Sequence, residues 1–366
     1  MKINFLDLKR QYKTIKTEID ESVNRVIKKQ FFILGEELTA FEKEFAKYLG
    51  IKYVIGVNSG TDALILGLRS LGIKEGDQVI TPANSFIATT LAITELGATP
   101  VFVDVNPKTH QIDEDQVIKK INKKTKAILT VHLYGLSSNI EKLKQIAKTN
   151  NIYLVEDVAQ GVGAKFSNKN LGTFSDISTF SFYPGKNLGA YGDAGAIATD
   201  NKTVYEKLLM LRNYGQKKKY HHQTIGINSR LDEIQAAVLR TKLKYLDGWN
   251  KRRNEIAKLY ADGLDRKHVE LISFPEKVLA NHHLFIINVE QRDQLQKYLM
   301  NQGIQTLIHY PIPIHLQECY QYLAYKKGDF PHAEKLAKRI LSLPMYPELK
   351  NTEITYIINQ VNSFFK

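Results

Sequence analysis

The chain has 366 residues, 43% of them hydrophobic and 24% charged, a balance that fits a globular protein and excludes a disordered or fibrous one. Its single cysteine, Cys319, excludes a disulfide framework and any multi-cysteine metal or iron–sulfur centre within one chain. The net charge of +13 favours anionic partners, from nucleic acid to phosphorylated small molecules, although the basic residues are spread along Lys-rich helical stretches.

The opening residues, MKINFLDLKRQYKTIK, hold no long apolar core, so no secretory leader is expected there. No apolar run approaches membrane-spanning length, and a reducing cytoplasm is the expected setting. Within 11–29, Ile15, Ile19, Val23 and Val26 recur at helical spacing. KYVIGV (52–57) reads as a buried strand, and NSGTDALILGLRSLG (58–72) as a turn and a helix. QVITP (78–82) is a strand, and SFIATTLAITELG (85–97) a helix ending at Gly97. TPVFVDV (99–105) and KAILTVHLYG (126–135) are strands, the second followed by a helix over 138–150. IYLVEDVAQ (152–160) is a strand running into a loop, and ISTFSFYP (177–184) and GAIATD (195–200) are two more. Near-continuous apolar strands alternating with helices predict an α/β fold whose mainly parallel sheet is covered on both faces. Residues 229–264 read as one long helical stretch broken near Gly248, and 265–366 alternate short strands such as HHLFIINV with helices. The length predicts two domains, divided as 1–250 and 251–366.

In open α/β sheets, ligands bind beyond the carboxyl ends of the strands, and three residue groups fall at such ends. NSGTDA offers Gly60 for close backbone approach, the Thr61 hydroxyl, and the free N–H groups of a helix start, a set suited to a phosphate. Taken by itself, the motif is more simply a strand–helix turn capped by Thr61 or Asp62. Asp157 follows an apolar strand, where a carboxylate needs a partner. A backbone N–H or an arginine would serve, and so would a protonated ring nitrogen of a cofactor. Lys186 sits in STFSFYPGKNLGAYGDAGAIAT, among aromatics and glycines rather than on a polar helix. A desolvated lysine can form imines with carbonyls, whereas pairing with Asp193 or a helix end would make it structural. Phosphate cradle, ring acid and lysine together are the contacts that pyridoxal phosphate needs.

Across essentially its whole length the chain resembles the DegT/DnrJ/EryC1/StrS family of sugar aminotransferases. The matching pieces are FLDLKRQY, GVNSGTDAL, ANSFIAT, VHLYG, EDVAQGVGA, FSFYPGKNLGAYGDAGA, GINSRLDEIQAAVL and HYPIPIH. The resemblance implies fold type I: a large domain around a mixed, mostly parallel seven-stranded sheet, a smaller C-terminal α/β domain, and a homodimer with shared active sites. It implies that Lys186 forms the imine with pyridoxal 5'-phosphate and shuttles the proton. Asp157 would hold the pyridine nitrogen protonated, Gln160 would bond the ring oxygen, and Phe86 would stack on the ring. Gly60, Thr61 and Ser181 would hold the phosphate, with Asn228 reaching it from the second subunit. Val158 and Val162 replace smaller or polar residues of many relatives, which predicts a locally altered pocket.

The activity so implied is transamination of a nucleotide-linked keto-deoxysugar with L-glutamate as donor, in deoxysugar biosynthesis of the kind that supplies O-antigen or other surface polysaccharide. Members resembling dTDP-3-keto-6-deoxyhexose 3-aminotransferases carry SFYPGKNLG, whereas those acting at C4 commonly show SFH. Tyr183, His309, Tyr310 and His315 are therefore expected at the sugar or diphosphate, and Lys219 in QKKKYHH at the diphosphate. A 4-aminotransferase and an enzyme for a UDP-linked 3-keto sugar are the alternatives within the family. A nucleic-acid-binding regulator, suggested only by the charge, lacks any helix-turn-helix or zinc module, so neither nucleic acid nor metal is expected.

Overall fold

The computed structural model describes residues 1–366. The apolar strands assemble one seven-stranded sheet. Its first five are β1 (Tyr53–Val57), β2 (Gln78–Pro82), β3 (Thr99–Val103), β4 (Thr125–Val131) and β5 (Tyr153–Asp157). A small hairpin, β6 (Lys165–Phe166) and β7 (Lys169–Asn170), precedes β8 (Ile177–Ser181) and β9 (Gly195–Thr199). The order is β1-β9-β8-β5-β4-β2-β3. Only β9 runs against its neighbours, β1 and β8, and the other pairings are parallel. Six strands thus bring their carboxyl ends to one edge, and the reversed β9 brings its amino end there.

Side chains alternate between the two faces, as a pleated strand requires. Val54, Ile80 and Ile128 point into one core, with Phe41 and Phe45 of α2 (Glu36–Leu49) and Leu143 of α6 (Ile140–Thr149). Ile55, Val79 and Leu129 point into the other. There they meet Leu64 and Leu68 of α3 (Gly60–Ser70), Ile93 of α4 (Ile87–Thr94), and Leu208 of α7 (Lys202–Leu211).

The helical stretch after residue 229 breaks earlier than expected. It divides into α8 (Glu233–Leu243) and α9 (Leu246–Gly263), so Gly248 lies inside a helix and α9 runs across residue 250. The junction is held by Lys244 and the Tyr245 hydroxyl, both bonded to Glu18 of α1 (Leu8–Lys29).

The C-terminal part builds its own antiparallel sheet from β12 (Glu270–Leu271), β14 (Phe285–Asn288) and β15 (Ile340–Leu343), with β14 in the middle. Tyr260 of α9, Leu295 of α10 (Arg292–Asn301) and Ile357 of α12 (Asn351–Phe364) pack on it. Ile3 belongs to that same core and bridges to Ile304. Arg10 clamps Glu353 through two hydrogen bonds of 2.8 and 2.7 Å. The first residues of the chain are therefore fastened to its last third, which carries them past the carboxyl edge of the large sheet. No helix is long and apolar enough to cross a membrane.

Candidate active site

A cavity of about 680 Å³ opens at that edge. Gly60 and Thr61 enter it from the β1–α3 turn, Phe86 from the β2–α4 turn, and Asp157 and Gln160 from the end of β5. Ser181, Tyr183 and Lys186 enter from β8 and the loop after it, and His309 and Tyr310 close it from the C-terminal part. Residues far apart in sequence thus meet because parallel strands end side by side.

The cradle is a helix start. Ser59 caps α3 by accepting from the Asp62 N–H at 3.1 Å. The Gly60 and Thr61 N–H groups find no partner within the chain. A β-carbon at Gly60 would stand 2.5 Å from Cβ of Ser181, so only glycine lets the turn lie against β8. One at Gly195 would stand 2.3 Å from the Ser59 carbonyl oxygen, so β9 presses on the same turn. Ser229 braces it from behind, donating to Asp62 at 2.6 Å and accepting from the Asn58 N–H at 3.1 Å. Two free N–H groups at a helix start, a neighbouring hydroxyl and close backbone access suit a phosphate.

Asp157 is 5% exposed. Thr89 donates to its Oδ2 at 3.0 Å and the Ala159 N–H to its Oδ1 at 3.1 Å. Burial raises its pKa, against the opposing effect of those donors and of Lys186. A carboxylate so desolvated, with only neutral donors bonded to it, favours a cation in front of it. Burial pushes the Lys186 amine down to about 8, and Asp157 opposes that fall. Near neutral pH a usable share of the amine is therefore free base.

Gln160 is held in one orientation: its Oε1 accepts from the Tyr134 N–H at 2.6 Å, which turns Nε2 toward the Tyr310 hydroxyl at 3.4 Å. The Phe86 ring is half exposed to the cavity, 5.6 Å from the Tyr310 ring. Burial and Lys186 hold the His309 imidazole down at about 4, and its Nδ1 contacts the Ser342 hydroxyl at 2.8 Å.

Three expected residues lie outside this cavity. His315 is 1% exposed, with its Nε2 3.1 Å from Glu334 and its ring against Phe330, so the structure corrects its placement at the substrate. Pro313 starts a short helical turn over Ile314–Leu316 that swings the imidazole inward. Asn228 and Lys219 are exposed and away from the cavity of their own chain, Lys219 on a hairpin of β10 (Gln216–Lys218) and β11 (His221–His222). Val158 and Val162 turn into the core and line no part of the cavity, so no altered pocket follows from them. Sequence reasoning misses Thr89, His283, Phe5, Leu6 and Met345, all of which line it.

The model of one protein family, the DegT/DnrJ/EryC1/StrS aminotransferases, matches residues 13–362. The chain belongs to that family. It is 44% identical over 362 residues to the dTDP-3-amino-3,6-dideoxy-alpha-D-galactopyranose transaminase of Aneurinibacillus thermoaerophilus, covering 99% of both chains. To the dTDP-3-amino-3,4,6-trideoxy-alpha-D-glucose transaminase of Streptomyces venezuelae it is 43% identical over 366 residues, covering 99% of this chain and 96% of the other. The crystal structure of S. venezuelae DesV in complex with a ketimine intermediate superposes with a TM-score of 0.98 at 43% identity, over 99% of this chain and 98% of that one. Aminotransferases of this family bind pyridoxal phosphate, and solved structural neighbours of the chain carry it or its pyridoxamine form. The chain is a sugar aminotransferase, with fold type I architecture.

Proposed function

We propose that this aminotransferase moves the amino group of L-glutamate to C3 of a dTDP-3-keto-6-deoxyhexose, giving a dTDP-3-amino-3,6-dideoxyhexose. The observation that carries the reading is the convergence of Gly60, Asp157 and Lys186 on one cavity. Bound pyridoxal phosphate supplies an electron sink for a proton leaving the carbon beside the reacting nitrogen. The residues fit that group. The free N–H groups of Gly60 and Thr61, with the Ser181 hydroxyl, would hold the phosphate. Asp157 would face the protonated ring nitrogen, the cation its burial favours. Gln160 Nε2 would reach the ring oxygen, and Phe86 would cover the ring. Lys186 would carry the cofactor and, as free amine, take and return the proton.

Asn228 and Lys219, exposed on their own chain, are assigned to the cavity of a second subunit, Asn228 at the phosphate and Lys219 at the diphosphate of the sugar nucleotide. Tyr183, His309 and Tyr310 face the sugar. The choice of C3 rests on Tyr183, Pro184 and Gly185 before the lysine, and on similarity to two dTDP-3-amino-sugar transaminases. The net charge of +13 suits an anionic nucleotide substrate in a cytoplasmic pathway of deoxysugar biosynthesis. The test offers dTDP-3-keto-, dTDP-4-keto- and UDP-3-keto-sugars separately with glutamate and identifies products by mass and NMR. Efficient amination of the dTDP-3-keto sugar is expected. Amination of the 4-keto or UDP sugar alone overturns the substrate and leaves the site chemistry standing.

A further inference from the structure

His283 lines the cavity with Lys186, yet no step described above uses it. Its surroundings decide which ring nitrogen carries the proton. Asn187, the residue after Lys186, spends both amide hydrogens on fixed acceptors: Asn250 Oδ1 at 2.8 Å and the Asn281 carbonyl at 3.2 Å. Asn250 is fixed in turn, because its own Nδ2 donates to the Val162 carbonyl at 3.2 Å. Asn187 Oδ1 is therefore an acceptor, and the His283 Nδ1, 3.0 Å away, must donate to it. The Nε2 atom is left with a bare lone pair.

The backbone of His283 is equally fixed. Its N–H donates to Asn281 Oδ1 at 2.9 Å, and Arg253 Nη1 reaches its carbonyl at 3.4 Å. Burial, together with the nearby Lys186, Arg253 and His309, pushes the imidazole well below its ordinary range. The ring is neutral at physiological pH, so Nε2 can only accept.

We propose that His283 is a positioning residue for Lys186: its Nε2 accepts a hydrogen bond from the free Lys186 amine and so turns the amine lone pair toward the carbon that exchanges its proton. No proton passes to His283. The inference rests on Lys186 being the cofactor-carrying lysine.

Two substitutions separate this role from a structural one. H283N keeps the donor toward Asn187 and loses the cavity-facing acceptor, whereas H283Q keeps an acceptor at the cavity end. The readout is the rate at which apo-protein captures pyridoxal phosphate, followed by absorbance against pH. H283N is expected to capture about tenfold more slowly than wild type, and H283Q within about threefold of it. H283N at the wild-type rate, or H283Q falling with H283N, overturns the proposal. Should both variants fold poorly, ¹⁵N NMR of histidine-labelled wild-type protein decides. The His283 ring is expected as the neutral Nδ1–H form from pH 6 to pH 8, about the range in which it can act, and an Nε2–H or charged ring overturns the proposal. A Lys186→Ala protein that still binds the cofactor covalently would instead defeat the lysine assignment and leave the tautomer untouched.

Discussion

Asp157 and Lys186 line one cavity, and each opposes the pKa shift that burial imposes on the other. The carboxyl is pushed up and the amine down, so both are poised for a cofactor that brings a ring cation and a carbonyl.

Lys186→Ala removes the nucleophile and leaves the cradle and Asp157 in place. Turnover should fall by at least about a thousandfold. Cofactor should still bind, but without a covalent link, as equilibrium dialysis and the lost visible absorbance of the linkage would report. Turnover near wild type would contradict the assignment.

The lowered amine pKa also has a stability consequence in apo-protein. Between about 8 and the ordinary 10.5 the unfolded chain holds more protons at this site than the folded one, so the contribution of Lys186 to stability rises with pH through that window. Lys186→Met should therefore stabilise apo-protein at pH 7 by roughly 2 kcal/mol, a gain that shrinks toward pH 10. Urea denaturation at the two pH values checks it, and the difference between the two proteins cancels other titrating groups such as Lys242.

Asp157→Asn keeps a hydrogen-bonding group but loses the charge that faces the ring nitrogen. A fall in kcat of about a hundredfold or more is expected, with KM for glutamate changed only a few-fold. Steady-state kinetics on cofactor-saturated protein give the split, and an unchanged kcat would remove Asp157 from its role.

Gly60→Ala drives a β-carbon into Ser181 at 2.5 Å. The overlap should cost about 1–3 kcal/mol and weaken cofactor affinity by about tenfold or more. Adding Ser181→Gly removes the obstructing carbon along with the phosphate-facing hydroxyl, so folding stability is the readout: by urea denaturation Gly60→Ala should cost less on the Ser181→Gly background than on wild type. An equal cost on both backgrounds would mean that the loss is not steric.

The sheet was legible because parallel strands buried on both faces are written as short apolar runs, and site residues cluster where those runs stop. The spacing of Leu38, Phe41, Phe45 and Leu49 in α2 carries the same helical signal as α1 and is open to the same argument. Other features have no local signature. His283 acquires its tautomer from Asn187, 96 residues away, and a sequence shows no such contact. His315 looks like a site residue beside Tyr310, but its direction depends on a turn that only the folded chain defines. The helix break falls at Lys244–Tyr245 rather than at Gly248 because Glu18, on a distant helix, holds that junction.

The central claim, that Lys186 carries the cofactor, has a direct test, because a fully buried lysine elsewhere offers a rival. Lys242 is also pushed down by burial, to about 7, but its Nζ donates to the Gly189 carbonyl at 2.7 Å and lies against the Tyr191 ring, away from the cavity. Borohydride reduction of the holoenzyme, followed by proteolysis and mass spectrometry, fixes the label where the cofactor was bound. The label is expected on the peptide that contains Lys186. A label on Lys242, or on any other lysine, would contradict the assignment.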